Sequence, residues 1–169
     1  MNRTLEVAKA CATAIGADRL GVRISPVSTA RDSHDGHPQA LLNRVVAGIN
    51  PFGLAYVHVV DGETGGARDS IAFDYAALHD RFGGVWMVSN GYDRQMAIAA
   101  VTSGRADLVS FGRLFIANPD LVERLKENAP LNKLMGEETL YSGGAHGYTN
   151  DPTLEQSQAA IRLDEKAPA

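Results

Sequence analysis

The chain has one cysteine, Cys11, among 169 residues, so no intrachain disulfide can form and no cysteine-based zinc cluster can be assembled. A reducing compartment suits such a sequence, and a cytoplasmic location is expected. Apolar runs near the roughly 20 residues needed to cross a bilayer are also missing, and the N-terminus lacks the charged-then-apolar layout of a signal peptide. Positive charge is sparse and scattered: 16 Lys and Arg stand against 20 Asp and Glu, for a formal net charge of −4. Nucleic acids and anionic membranes reward concentrated Lys and Arg, so neither is an expected partner. No Walker-type loop, GxGxxG turn or Ser-His-Asp arrangement is present. What is left is small-molecule chemistry on an ordinary globular composition, 44% hydrophobic and 21% charged, with the length of one domain or part of a larger one.

What is present is an alternation. Leu5, Ala8, Ala12 and Ile15 recur at helical spacing and predict a helix over Thr4–Ile15, closed by Gly16. The chain thus enters an amphipathic helix almost at once. A β-rich run, Leu20–Ser25, ends at Pro26. A helix is expected at about Gln39–Ile49, a strand at Leu54–Val60, a helix at Asp74–Phe82 and a strand at Val85–Ser89. Tyr92–Ser103 predicts a further helix and Ala106–Phe111 a fourth strand. Asn118, Pro119 and Asp120 then supply an N-cap, a first-turn proline and an acidic first turn for a helix to about Asn128. The last forty residues read as irregular, with 153–169 a polar, mobile tail. Strands apolar on both faces and alternating with helices are the pattern of a parallel sheet covered by helices. An open doubly wound sheet and a (β/α) barrel share it, and four units are half of a complete barrel.

Parallel α/β proteins place ligands at the carboxyl ends of their strands, and in barrels the last two strand ends commonly hold phosphate. Here those ends are Ser89-Asn90-Gly91 and Gly112-Arg113. Glycine admits close approach of backbone N–H groups to an anion, and a guanidinium adds bidentate charge. Two readings stand side by side: ordinary turn residues, or a phosphate cradle. Arg23 interrupts LGVRISP, where a strand places it on the same face as Gly21 and Ser25. A salt bridge to a neighbouring carboxylate and a cation facing an electron-rich ring both account for it. His58 reads as a core histidine, and His34, His37 and His79 as loop or surface residues; His34, Asp35 and His37 do not complete a metal set. His146 sits in a Gly-rich segment that could border a site. Asp61 and Glu63 are the best acid or base candidates at these strand ends, but read as solvated loop acids.

GADRLGVRISP, LAYVHVVD, VSNGYDRQMA, ADLVSFGRLFIANPDLVERL and LYSGGAHGYTNDP together resemble the C-terminal half of the old yellow enzymes, FMN-dependent ene-reductases built on a (β/α)8 barrel. The resemblance runs from about Asn2 to Pro152. It implies an α/β fold comprising half of a TIM barrel, strands five to eight with their helices, over residues 1–152. By the same resemblance, Arg23 lies at the pyrimidine edge of the flavin, Ser89, Asn90, Gly91, Gly112 and Arg113 hold the FMN phosphate, and Tyr141 lies near the substrate. The implied reaction is NADPH-driven reduction of an activated C=C bond in an α,β-unsaturated carbonyl or nitro compound.

Departures accompany the match. Asn90-Gly91-Tyr92-Asp93 stands where relatives often have Gly-Gly-Tyr-Thr, and YTND replaces the more usual YTDYP. The family's carbonyl-binding pair and proton-donating tyrosine belong to its N-terminal half, so no catalytic residue is expected in this chain. The expected partner is a chain carrying that half, or a second copy in a homo-oligomer. The alternative is a non-catalytic flavin- or phosphate-binding half-barrel, or a truncated remnant that self-associates.

Overall fold

A computed structural model of the chain describes residues 3–32, 35–69, 71–139, 144–147 and 149–164. Two compact units follow each other along the chain, 1–110 and 111–169.

The first unit contains α1 (Arg3–Ile15), β1 (Gly21–Ile24), α2 (Pro38–Ile49), β2 (Tyr56–Val60), α3 (Tyr75–His79), β3 (Val85–Ser89), α4 (Arg94–Thr102) and β4 (Leu108–Val109). The four strands are parallel and lie in the order β1-β2-β3-β4. Each new strand adds to the same side of the sheet, as in a barrel. A doubly wound sheet instead reverses direction at its switch point.

Alternation along the strands sends Ile24, Val57, Val59, Trp86 and Val88 to one face, where all are buried. Val45, Val46 and Ile49 of α2, Leu78 of α3 and Ala100 of α4 are buried with them. Each such aliphatic side chain contributes about 1.5–3 kcal/mol on leaving water. α1 approaches α2 closely because Gly48 has no side chain: a Cβ there would stand 2.8 Å from the Leu5 methyls.

The opposite face carries Gly21, Arg23, Tyr56, His58, Val60, Val85, Met87, Ser89 and Leu108; Val60, at the carboxyl end of β2, is buried and the others are partly or largely exposed. Val85 and Leu108 are 39% and 46% exposed despite being large and apolar. Gly21 is required at its position because a Cβ would overlap the Tyr56 ring lying across it.

Capping follows the sequence at two helices. Asp74 accepts from the Ala77 N–H at 2.9 Å and Asp93 from the Met96 N–H at 2.7 Å. Three expectations need correction. The fourth strand, predicted over Ala106–Phe111, pairs only at Leu108 and Val109. The Asp107 carboxylate takes the Trp86 N–H at 2.7 Å, and a side chain there replaces a rung of the ladder.

In the second unit, α5 (Arg113–Ala117) is a short helix that the sequence pattern did not indicate. The following helix, α6 (Leu121–Glu127), starts later than expected, and Asn118 is not its cap. Asn118 is fully buried, donates to the Leu114 carbonyl and accepts from the Asn132 N–H. Residues Leu154–Asp164, expected to be irregular, form α7. Arg124, 1% exposed, organises this unit by donating to the Asp120 carboxylate and to the Pro130 and Pro152 carbonyls. Asp120 also receives the first N–H of α7, at Leu154. Burial alone would raise the Asp120 pKa, but the hydrogen bonds from Leu154 and Arg124 outweigh it and hold the carboxyl below its usual range.

Candidate functional site

The carboxyl ends of β1, β2 and β3 are tied into one rim by side chains from the loops that follow them. After β1, Thr29 donates its N–H and hydroxyl to the Glu63 carboxylate at 3.0 and 3.2 Å. After β3, the Asn90 amide donates to the carbonyls of Asp61 and Glu63 at 2.6 and 2.8 Å and accepts from the Gly65 N–H. Arg68 returns from the β2 loop to donate to the Asn90 carbonyl at 2.8 Å. Asn90 and Gly91 both adopt positive φ, 108° and 63°, so the chain turns sharply away from β3.

Behind this rim is a polar cluster centred on Asp61, which is 3% exposed. Its carboxylate accepts from the Tyr92 hydroxyl at 2.5 Å and from Arg105 at 3.1 Å. Arg105 also donates to the Tyr92 oxygen, and the Arg68 guanidinium lies 4.2 Å from the centre of the Tyr92 ring. Burial, then the hydrogen bond and negative charge of Asp61, push the Tyr92 hydroxyl up to about 12, against the lowering influence of Arg105 and Arg68. Tyr75 is also raised, first by burial; its oxygen accepts the Gly62 N–H at 2.7 Å. A cavity of about 320 Å³ lies on the helix side, lined by Tyr75, His79, Trp86 and Arg105 among others. Asp61 and Arg105, which reach it, are already committed to each other.

The residues singled out from the sequence therefore divide. Arg23 is exposed on the sheet face opposite the helices, in register with His58. The salt bridge considered for it is not formed with any described residue. His58 is not a sealed core residue. It is partly exposed on the same face as Arg23, and its Nε2 lies 2.8 Å from the Ser89 Oγ on the next strand. Burial first, then the positive charge of Arg23, lowers the His58 pKa below its usual value.

Ser89 is thus engaged, and the Asn90 side chain is spent on the β2 loop, leaving the exposed Gly91 backbone as the open part of that strand end. In the second unit, Gly112 occupies the N-cap of α5 with no side-chain cap, open space surrounds the point where a Cβ would be, and Arg113 is exposed. Tyr141 and His34 lie outside the described residues, and His146 is exposed. Asp61 and Glu63 are structural acceptors rather than solvated loop acids. Arg68, Tyr92 and Arg105 were not identified from the sequence, because their significance lies in contacts across 13 to 44 residues.

An exposed arginine with no acceptor among the described residues, and a glycine backbone left open at a strand end of the same unit, have the chemistry to meet an anionic ligand. Residues 1–132 match the model of the NADH:flavin oxidoreductase / NADH oxidase family. The chain is 41% identical over 172 residues to 12-oxophytodienoate reductase 7 of Oryza sativa subsp. japonica, covering 93% of this chain and 44% of that protein. It is 37% identical over 155 residues to 12-oxophytodienoate reductase 2 of Arabidopsis thaliana, covering 90% and 41%.

Among solved structures, the old yellow enzyme from Trypanosoma cruzi superposes with a TM-score of 0.81 at 37% identity, over 88% of this chain and 39% of that one. Morphinone reductase gives 0.82 at 34% identity, over 90% and 41%. The chain spans about half the length, or somewhat less, of the relatives it matches. It belongs to the NADH:flavin oxidoreductase / NADH oxidase family, that of the old yellow enzymes, and represents part of the length of its members.

Proposed function

We propose that this chain is the flavin-binding half of an FMN-dependent ene-reductase, corresponding to strands five to eight of a (β/α)8 barrel. The observation that carries the reading is Arg23: a guanidinium with no hydrogen-bond or ion-pair partner among the described residues, on the sheet face that no helix of the first unit covers. A permanent cation left unpaired in that position is suited to an anionic guest. In this reading Arg23 stabilises negative charge at the pyrimidine edge of the flavin, while Ser89, Asn90, Gly91, Gly112 and Arg113 form the phosphate end. The Asn90 side chain acts there by shaping the turn, so that Gly91 presents its backbone. When bound, FMN supplies the hydride chemistry.

The partner in this proposal is a polypeptide carrying the first four strands. Val85 and Leu108 are the apolar residues it would cover, and the outer edges of β1 and β4 are where its strands would pair. Residues 1–152 form the half-barrel in this scheme and 153–169 lie beyond it. The substrates are small α,β-unsaturated carbonyl or nitro compounds, with NADPH as the reductant and a cytoplasmic setting.

The test is to mix the chain with FMN and with a polypeptide supplying the missing strands, then follow NADPH oxidation with cyclohexenone. Flavin retention and turnover by the mixture, with little or none by the single chain, are expected. Failure to retain flavin in either case would defeat the reading. Retention of flavin without turnover would identify a binding module, and a colourless homo-oligomer would identify a self-associating remnant.

A further inference from the structure

The strand register sets Arg23, His58, Met87 and Leu108 side by side in one row across the sheet face. Neighbouring strands stand about 4.8 Å apart, so the residue at position 58 is the one best placed to capture or repel the Arg23 guanidinium. An acid there would close a salt bridge and remove Arg23 from service. A lysine would repel it. Histidine does neither while it is neutral, and two features keep it so: partial burial and the adjacent guanidinium.

The contact at 2.8 Å with Ser89 Oγ draws the imidazole toward β3 and the carboxyl end of the sheet, away from β1. Met87, the next residue in the row, offers no carboxylate, and Arg23 has no acceptor among the described residues. Keeping an arginine unpaired on a half-covered surface therefore depends on what its neighbour refuses to do.

We propose that His58, steered by Ser89, is a positioning residue for Arg23: a neutral ring in the adjacent place that leaves the guanidinium free for a planar anionic ligand. The inference rests on the flavin reading for the ligand's identity, but its coupling to Arg23 is measurable without flavin.

Two measurements on the full chain decide it. The first is an NMR titration of the His58 ring in the chain and in Arg23→Gln. The midpoint should move upward when the guanidinium is removed, and an unchanged midpoint would overturn the proposal. The second is a fluorescence titration with FMN of the chain combined with the polypeptide that supplies the missing strands. His58→Glu and Arg23→Gln should each weaken binding about tenfold, while His58→Asn, which keeps a neutral partner for Ser89, should stay within about threefold. In an Arg23→Gln background, His58→Glu should cause little additional loss. Additive losses, or tight binding by His58→Glu, would refute the positioning role. If His58→Glu does not fold, the ring titration and His58→Asn still decide. If the chain binds no FMN with its missing half supplied, the functional reading fails and the ring titration alone judges this inference.

Discussion

Tyr92→Phe removes one oxygen atom from the Asp61 cluster and tests whether that cluster is a working electrostatic unit. The Tyr92 hydroxyl donates to a carboxylate that is 3% exposed and accepts from Arg105, whose side chain is 48% exposed. A half-exposed ion pair contributes about 0–1 kcal/mol, so Arg105 alone cannot satisfy Asp61. A hydrogen bond to a charged group is worth about 1.5–3 kcal/mol, and the variant should lose about that much stability at pH 7. The pH dependence gives an independent measure. The hydroxyl's folded-state pKa is raised from an ordinary value near 10 to about 12.

A raised pKa means stability that is fully present below about pH 10 and lost as pH rises through about 12, amounting to roughly 2–3 kcal/mol. Wild type and Tyr92→Phe should therefore differ in urea midpoint at pH 8 and converge toward pH 12. The comparison between the two chains removes the background from Tyr75, whose pKa is also raised. A constant difference between pH 8 and pH 12, or no difference at pH 8, would show that Tyr92 and Asp61 are not coupled as described.

Asn90→Asp exchanges two N–H donors for a carboxylate facing the Asp61 and Glu63 carbonyls, and should cost about 2 kcal/mol or more, read as a lower urea midpoint and faster trypsin cleavage at Arg68. Gly62→Ala places a Cβ against the Arg68 backbone at a φ of 77°, so it should release the β2 loop and destabilise the first unit by about 1–3 kcal/mol in the same assay. Arg124→Met strands the Pro130 and Pro152 carbonyls and leaves the Asp120 carboxylate with the Leu154 N–H alone, and should destabilise the second unit by about 2–4 kcal/mol, measured by hydrogen exchange in α6 and α7. Because the Asp120 pKa is depressed, its contribution is present above about pH 4 and lost as pH falls further; Arg124→Met should flatten that acid limb in a pH series of the same exchange measurement.

Much of this protein follows from local chemistry. Strand β3 matches its predicted bounds because VWMVS is apolar on consecutive residues and ends at Asn-Gly. The helices α3 and α4 begin where Asp74 and Asp93 can accept an N–H from three residues onward. Local signals of this kind depend on neighbours within a turn, and neighbours are what a sequence displays. The family motifs likewise sit in contiguous stretches, so the fold class and the positions of Arg23, Gly91, Gly112 and Arg113 could be stated before any contact was known.

The remainder depended on residues far apart along the chain. Asn118 looked like a helix cap but is buried and engaged with Asn132, while the polar segment after Pro152 becomes a helix whose first N–H meets Asp120. Asp61 looked like a loop acid until Tyr92 and Arg105 were placed against it, and Arg23 is identified as unpaired only once its strand register sets a neutral His58 beside it. The sequence determined which residues could carry charge, turn the chain or enter a strand. Tertiary structure decided which charges were neutralised and which were left available, because pairing depends on distances that only the folded chain establishes.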